Sequence, residues 1–113
     1  MALTVKTLGE GQVGVTVSAL YTVPPDKAAI VKSMRFVNTD DTDPVTLDLY
    51  YLKSGGTHPD DARRILPAGV SLAKNSLLLE EAELTLGAGD KIEGIASAAT
   101  TVDFVFSGIE RDE

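Results

Sequence analysis

The sequence predicts an all-β fold: a single-domain β-sandwich, jelly-roll-like, of about eight short antiparallel strands. Three observations predict it. Turn signals recur along the whole chain, the segments between them run roughly 6 to 12 residues, and the clearest segments alternate apolar and polar residues with a period of two. The turn signals are Gly9-Glu10-Gly11, Pro24-Pro25-Asp26, the acidic stretch Asp40 to Pro44, Ser54-Gly55-Gly56, Pro67-Ala68-Gly69 and Gly87-Ala88-Gly89-Asp90.

The first strands are expected at Leu3 to Leu8, Val13 to Val17 and Ala19 to Val23, with residues 1–7 as a candidate N-terminal arm. Ala28 to Val37 mixes Lys32, Ser33 and Arg35 with Ile30, Val31, Met34, Phe36 and Val37. Its alternation is imperfect, but β-branched and aromatic residues favour a strand. Val45 to Tyr51 is cleaner: Val45, Leu47, Leu49 and Tyr51 share one face, and Thr46, Asp48 and Tyr50 the other. Lys53 to Arg63 is the longest irregular stretch, where a loop function would sit. Ser76 to Leu86 is expected as a strand. Helix competes over Ser76 to Leu84 because Leu, Glu and Ala are good helix formers, yet the span is short and Leu77 and Leu79 alternate with Ser76, Leu78 and Glu80. Lys91 to Ser97 follows, and Val102 to Ser107 closes the set with Val102, Phe104 and Phe106 on one side.

At 113 residues the chain allows one domain, 1–113, large enough to bury a core without a staple. Ten Lys and Arg against 17 Asp and Glu leave a net charge of −7. That balance argues against nucleic acid, which needs clustered cations, and against anionic membranes. No apolar run approaches the roughly 20 residues of a membrane span, and Met1 to Thr7 lacks the pattern of a secretory signal. Cysteine is absent, which excludes disulfides, thiolate metal sites and cysteine nucleophiles.

The candidates for chemistry each carry a plainer reading. Asp40, Asp41 and Asp43 could offer oxygen ligands to calcium, but the spacing of a helix–loop–helix calcium site is missing, and a turn whose side chains bond local backbone is the simpler account. His58, the one histidine, stands beside Asp60 and Asp61, but its setting of Pro59 and Gly55-Gly56 suits an exposed loop better than a fixed catalytic group. Glu80, Glu81 and Glu83 could serve glycoside chemistry, but there is no Trp to stack a sugar. Gly87 to Lys91 lacks the strand-to-helix setting of a phosphate loop and reads as a β-turn. No catalytic residue, cofactor or resident metal is therefore expected. Arg63 and Arg64, with Lys53, form a small basic island, read either as a solvated loop end or as a contact for an acidic partner surface. Tyr50 and Tyr51 must point to opposite faces, so one of them lies outside the core.

Several stretches resemble a known family. Tyr21 to Pro24, Ala29 to Thr39, Leu52 to Thr57, Gly69 to Leu72, Leu86 to Ile92, Ala96 to Ala99, Val102-Asp103 and Ser107 to Glu110 resemble small β-rich structural proteins of tailed bacteriophage virions, over roughly residues 20 to 110. Pro24-Pro25-Asp26-Lys27 stands where that pattern would carry Pro-Ala-Gly-Lys. The resemblance implies a capsid decoration, or cement, protein. It would be assembled in a host cytoplasm, lie on the virion surface, bind the major capsid protein and self-associate as a homotrimer. Its contacts would be sought at Leu3, Val5, Tyr50, Arg63 and Arg64, with the N-terminal segment and a sheet edge available for strand exchange. The alternative is a tail, connector or fibre component that binds a receptor or glycan.

Overall fold

The computed structural model describes residues 3–54, 64–81 and 83–112. They form nine strands: β1 (Leu3–Val13), β2 (Ser18–Thr22), β3 (Lys27–Asn38), β4 (Val45–Leu52), β5 (Val70–Leu72), β6 (Leu77–Glu80), β7 (Leu84–Leu86), β8 (Lys91–Ala96) and β9 (Val102–Asp112). One sheet has the order β1-β9-β3-β6, with β7 also pairing with β3; the other has the order β2-β8-β4-β5. Every pairing between these strands is antiparallel. Because β6 and β7 pair with successive stretches of the same edge of β3, they occupy one strand position. The result is eight positions in two four-position sheets, the jelly-roll arrangement the sequence predicts.

The inner faces close on one core. Val45, Leu47 and Leu49 of β4 meet Val31, Met34 and Phe36 of β3 and Val102, Phe104 and Phe106 of β9. Phe106 packs edge-on against Phe36, with ring centroids 5.8 Å apart, and tilted against Phe104 at 5.1 Å. Tyr51 lies against this core, half-buried, as its place on the Val45 face requires.

Three expectations are corrected. Gly9-Glu10-Gly11 makes no turn but lies inside β1, where a Cβ on Gly9 would stand 2.7 Å from the Leu20 carbonyl oxygen. The strand expected at Val13 to Val17 is instead the end of β1 and the bend leading to β2. Nor are all the strands short: β1 and β9 have 11 residues and β3 has 12. Their length has a common cause, since β9 is the central partner that both long neighbours follow along its length. Residues 3–7, considered as an arm, pair with Arg111 to Ser107 of β9. Ser76 to Leu86 is strand and not helix, interrupted between Glu80 and Leu84.

The imperfect alternation of β3 also has a structural reason. The β3–β9 register shifts between Val31 and Ser33, and the β1–β9 register shifts between Thr7 and Gly9. Lys32 and Leu8 are therefore extra residues on the two sides of β9, Lys32 between the levels of Gly108 and Ser107 and Leu8 between those of Ser107 and Phe106. On either side of the shift the alternation of β3 is regular, with Ala29, Val31, Met34, Phe36 and Asn38 buried.

Asn38, fully buried, ties one end of the sandwich together. Its Nδ2 reaches the carbonyls of Asp43, Leu72 and Ala73, each at 3.2 Å, while its Oδ1 accepts the Asp40 N–H at 3.0 Å. Replacing it with Leu removes every one of these bonds at a site closed to water. Asn38→Leu is expected to lower stability by about 2–4 kcal/mol, read as a shifted urea midpoint.

Candidate assembly surface

Strand alternation sorts the side chains of the first sheet into an inner set and an outer set. On the outer face the registers place residues in five rows running from β1 across β9 to β3 and its edge partners. The rows are Leu3–Arg111–Ala28, then Val5–Ile109–Ile30–Thr85, then Thr7–Ser107–Ser33, then Glu10–Val105–Arg35–Leu79, and finally Gln12–Asp103–Val37–Leu77. Much of this face is aliphatic and open to solvent: Val5 is 83% exposed, Leu3 68%, and Leu77, Leu79, Val105 and Ile30 are also exposed. Two shallow grooves flank Ile109, one of about 300 Å³ running past Ala28, Ile30 and Thr85, the other of about 500 Å³ past Val5, Thr7 and Lys32. The aliphatic positions lie on both sides of the polar Thr7–Ser107–Ser33 row, and exposed apolar patches of this kind are candidate contact surfaces.

Charge on this face is sparse and specific. Lys32, lifted out by its extra position, pairs with Glu83 at the β7 edge. Glu10 and Arg35 stand on either side of Val105, two strands apart, and neither has an ion-pair partner among the described residues.

The other candidates fall elsewhere. Leu3 and Val5 lie on the outer face just described. Tyr50, which the sequence placed among the partner contacts, faces outward on the second sheet but is only 5% exposed. It is covered because Arg64 bridges to it and stacks its guanidinium 4.9 Å from the ring centroid, while Nη1 donates to Asp48 Oδ1 at 3.0 Å. Arg63, His58, Asp60 and Asp61 lie outside the described residues. In the acidic loop, Asp40 Oδ1 accepts from the Thr42 N–H (2.9 Å), the Thr42 hydroxyl (2.8 Å) and the Asp43 N–H (3.2 Å). Those bonds, the Thr42 N–H first, hold the Asp40 carboxyl below the usual range; at Asp40 the loop makes local turn bonds of its own.

Of three buried carboxylates among the described residues that are absent from the sequence-based candidates, Glu93, Glu110 and Asp90, the last two tie strand ends together. Glu110, at the far end of β9, accepts the Tyr21 hydroxyl at 2.5 Å and Lys6 Nζ at 3.1 Å. Burial pushes its carboxyl up, but the Tyr21 and Lys6 contacts outweigh that and hold it low; burial and the same carboxylate push the Tyr21 phenol up. Asp90 accepts the Gly87 N–H (2.9 Å), the Ser54 N–H (3.0 Å) and the Tyr51 hydroxyl (3.0 Å), with Lys53 Nζ at 3.6 Å. Both groups are knots that fasten strand ends. The missed residues of the outer face did leave a signal: Val105, Leu77 and Leu79 are apolar on the side of their strands opposite the core, where alternation calls for polar side chains.

The strand order and the aliphatic outer face define the class: a jelly-roll β-sandwich with a surface suited to assembly. No protein-family model and no curated protein matches the chain. Solved structures do. The mutant VP2 protein of infectious bursal disease virus in T=1 particles is similar with a TM-score of 0.51 at 12% identity, over 96% of this chain and 30% of that one. The Gx strain of the same virus gives 0.50 and 12%, over 96% of this chain and 32% of the viral chain. A subunit of the disulfide-linked pili of Bacillus endospore appendages gives 0.49 and 16%, over 97% and 88%. This chain thus spans about a third of the viral chains it matches, and at these identities the likeness is one of fold.

Proposed function

We propose that the protein is a structural subunit of a virus particle, a decoration protein that sits on the outer shell of a capsid and strengthens the contacts between neighbouring capsomers. The observation that carries this reading is the fold match: nearly the whole chain follows a viral VP2 protein found in particles. The aliphatic outer face of the first sheet supports a role in assembly rather than in catalysis. The mechanism is mechanical. A subunit bound across a capsomer boundary favours the assembled shell by linkage, because it binds that state and not the separated one. Assembly in a host cytoplasm and residence on the virion surface belong to the same reading.

Co-sedimentation with purified capsid shells stripped of accessory proteins tests it. The expected result is saturable binding at many copies per shell and a rise in the temperature at which the shell ruptures. Recovery in isolated tails, with no binding to shells, would overturn it.

A further inference from the structure

We infer that the outer face of the β1-β9-β3 sheet is a self-complementary surface on which a second copy of this chain docks face to face, about a twofold axis running along β9. The inference is independent of where the protein acts and differs from the threefold arrangement that the phage resemblance implies.

The registers carry the argument. An isologous contact requires one patch to be its own complement under a half-turn. A half-turn about β9 leaves β9 over β9 and exchanges β1 with β3. Glu10 and Arg35 lie in one row on opposite sides of Val105, so the rotation sets Glu10 over Arg35 of the second copy, and Arg35 over its Glu10. Glu10 and Arg35, neither with an ion-pair partner among the described residues, thereby meet twice. The same rotation sets Val5 over Ile30 of the second copy, beside the groove of about 300 Å³ past Ala28 and Ile109. Val105 and Ile109 meet their own counterparts on the axis, and Thr7 meets Ser33.

Sheet geometry permits this packing. Stacked sheets lie about 10 Å apart with their strands within about 30° of alignment. That angle carries Asp103 and Arg111, at the two ends of the β9 row, away from their own copies, and Asp103 already accepts a bond from Gln12. The half-turn overlays the three strand positions β1, β9 and β3 over five rows, a footprint of about 14 by 30 Å, so two copies bury about 850 Å² between these strands, the size of a weak or transient contact. A half-turn across the strands is the competing arrangement. It would bring Arg111 to Asp103 but would press both copies of Glu10 onto Val5 and both copies of Arg35 onto Ile30, stranding four charges on aliphatic side chains.

Light scattering and native mass spectrometry on the intact chain test the inference. The expected species is a dimer of twice 11.9 kDa that weakens as salt rises. Glu10→Lys and Arg35→Glu, both at exposed positions, should each weaken it about tenfold. The two single variants mixed together should recover the dimer as a heterodimer, and the double variant should recover it alone. Val5→Asp, at an 83% exposed position, should also weaken it while leaving the unfolding midpoint unchanged. A monomer at all concentrations, a trimer, or a dimer indifferent to the charge reversals would overturn the inference. Failure to bind capsid shells would leave it standing and count only against the decoration role.

Discussion

Gly108→Ala is expected to destabilise the protein by about 3 kcal/mol or more, and Gly108→Val to prevent folding at ordinary temperature. The reason lies in the row where the first sheet takes its extra residues. A Cβ on Gly108 would stand 2.1 Å from the carbonyl oxygen of Ile30, 3.1 Å from that carbonyl carbon and 2.9 Å from Leu8 Cδ1. The first two are backbone atoms of β3, which β9 pairs along its length, so they cannot retreat without breaking the β3–β9 ladder. Two other glycines grade the prediction. A Cβ on Gly94 would meet the tips of Leu20 and Leu49 at 2.8 and 3.0 Å, which can turn aside, and the Asp48 carbonyl oxygen at an ordinary 3.4 Å; about 1–2 kcal/mol is expected. One on Gly14 would find its nearest neighbour at 3.9 Å, and Gly14→Ala should fall within about 0.5 kcal/mol of the parent. Urea midpoints for the three variants check the order. Equal effects at Gly108 and Gly14 would show that close approach to β3 is not what that position serves.

The same row explains where sequence reading succeeded and where it stopped. Period-two alternation was legible wherever a strand keeps one register with its partners, as in Val45 to Tyr51 and Val102 to Ser107. It blurred in β3 because Lys32 is an extra residue, and an extra residue exchanges the two faces of everything beyond it. The glycines of β1 misled for a related reason. Gly9 and Gly11 were legible as turn formers, yet both lie within β1, opposite Phe106 and Phe104: the Leu20 carbonyl takes up the space of a side chain at Gly9, and Gly11 has a φ of +141°. Local composition does not distinguish a glycine that bends the chain from one that makes room for a neighbour.

Part of the candidate surface coincides with sequence-based candidates: Leu3 and Val5 belong to the N-terminal segment considered for strand exchange, and both lie on the outer face of the first sheet. Glu10 and Arg35 could not be picked out, since their relation depends on β9 lying between β1 and β3, a crossover joining the two ends of the sequence. Tyr50 and Arg64 were read as surface contacts because a ring and a guanidinium outside the core look available. The structure joins them to each other, the Arg64 guanidinium against the Tyr50 ring on the outer side of β4.

Asp90→Ala is expected to cost about 3–4 kcal/mol at neutral pH and to lower the melting temperature by about 12 °C. Asp90 is 2% exposed and holds three donors from two segments, the Gly87 N–H of its own turn and the Ser54 N–H and Tyr51 hydroxyl beyond β4. Its own backbone completes the joint, since the Asp90 carbonyl accepts the Val23 N–H at 2.9 Å. Alanine leaves the three donors without their acceptor, and the Ser54 and Tyr51 positions are open enough for water to replace part of the loss. Burial pushes the Asp90 carboxyl up, but the Gly87, Ser54 and Tyr51 donors and the Lys53 ammonium together hold it below the usual aspartate value. The folded protein therefore releases this proton more readily than the unfolded chain, whose aspartates titrate near about 3.9. The stability that Asp90 contributes is accordingly full above about pH 4 and is lost as pH falls through the lower, folded value. Urea unfolding at pH 7 and near pH 2.5 should show the gap between parent and Asp90→Ala narrowing in acid. Asp90→Asn keeps one acceptor oxygen but turns an amide toward a donor, so it should lie between the two at pH 7. A gap between parent and Asp90→Ala that stays constant with pH would mean that the side chain acts by its shape and not by its charge.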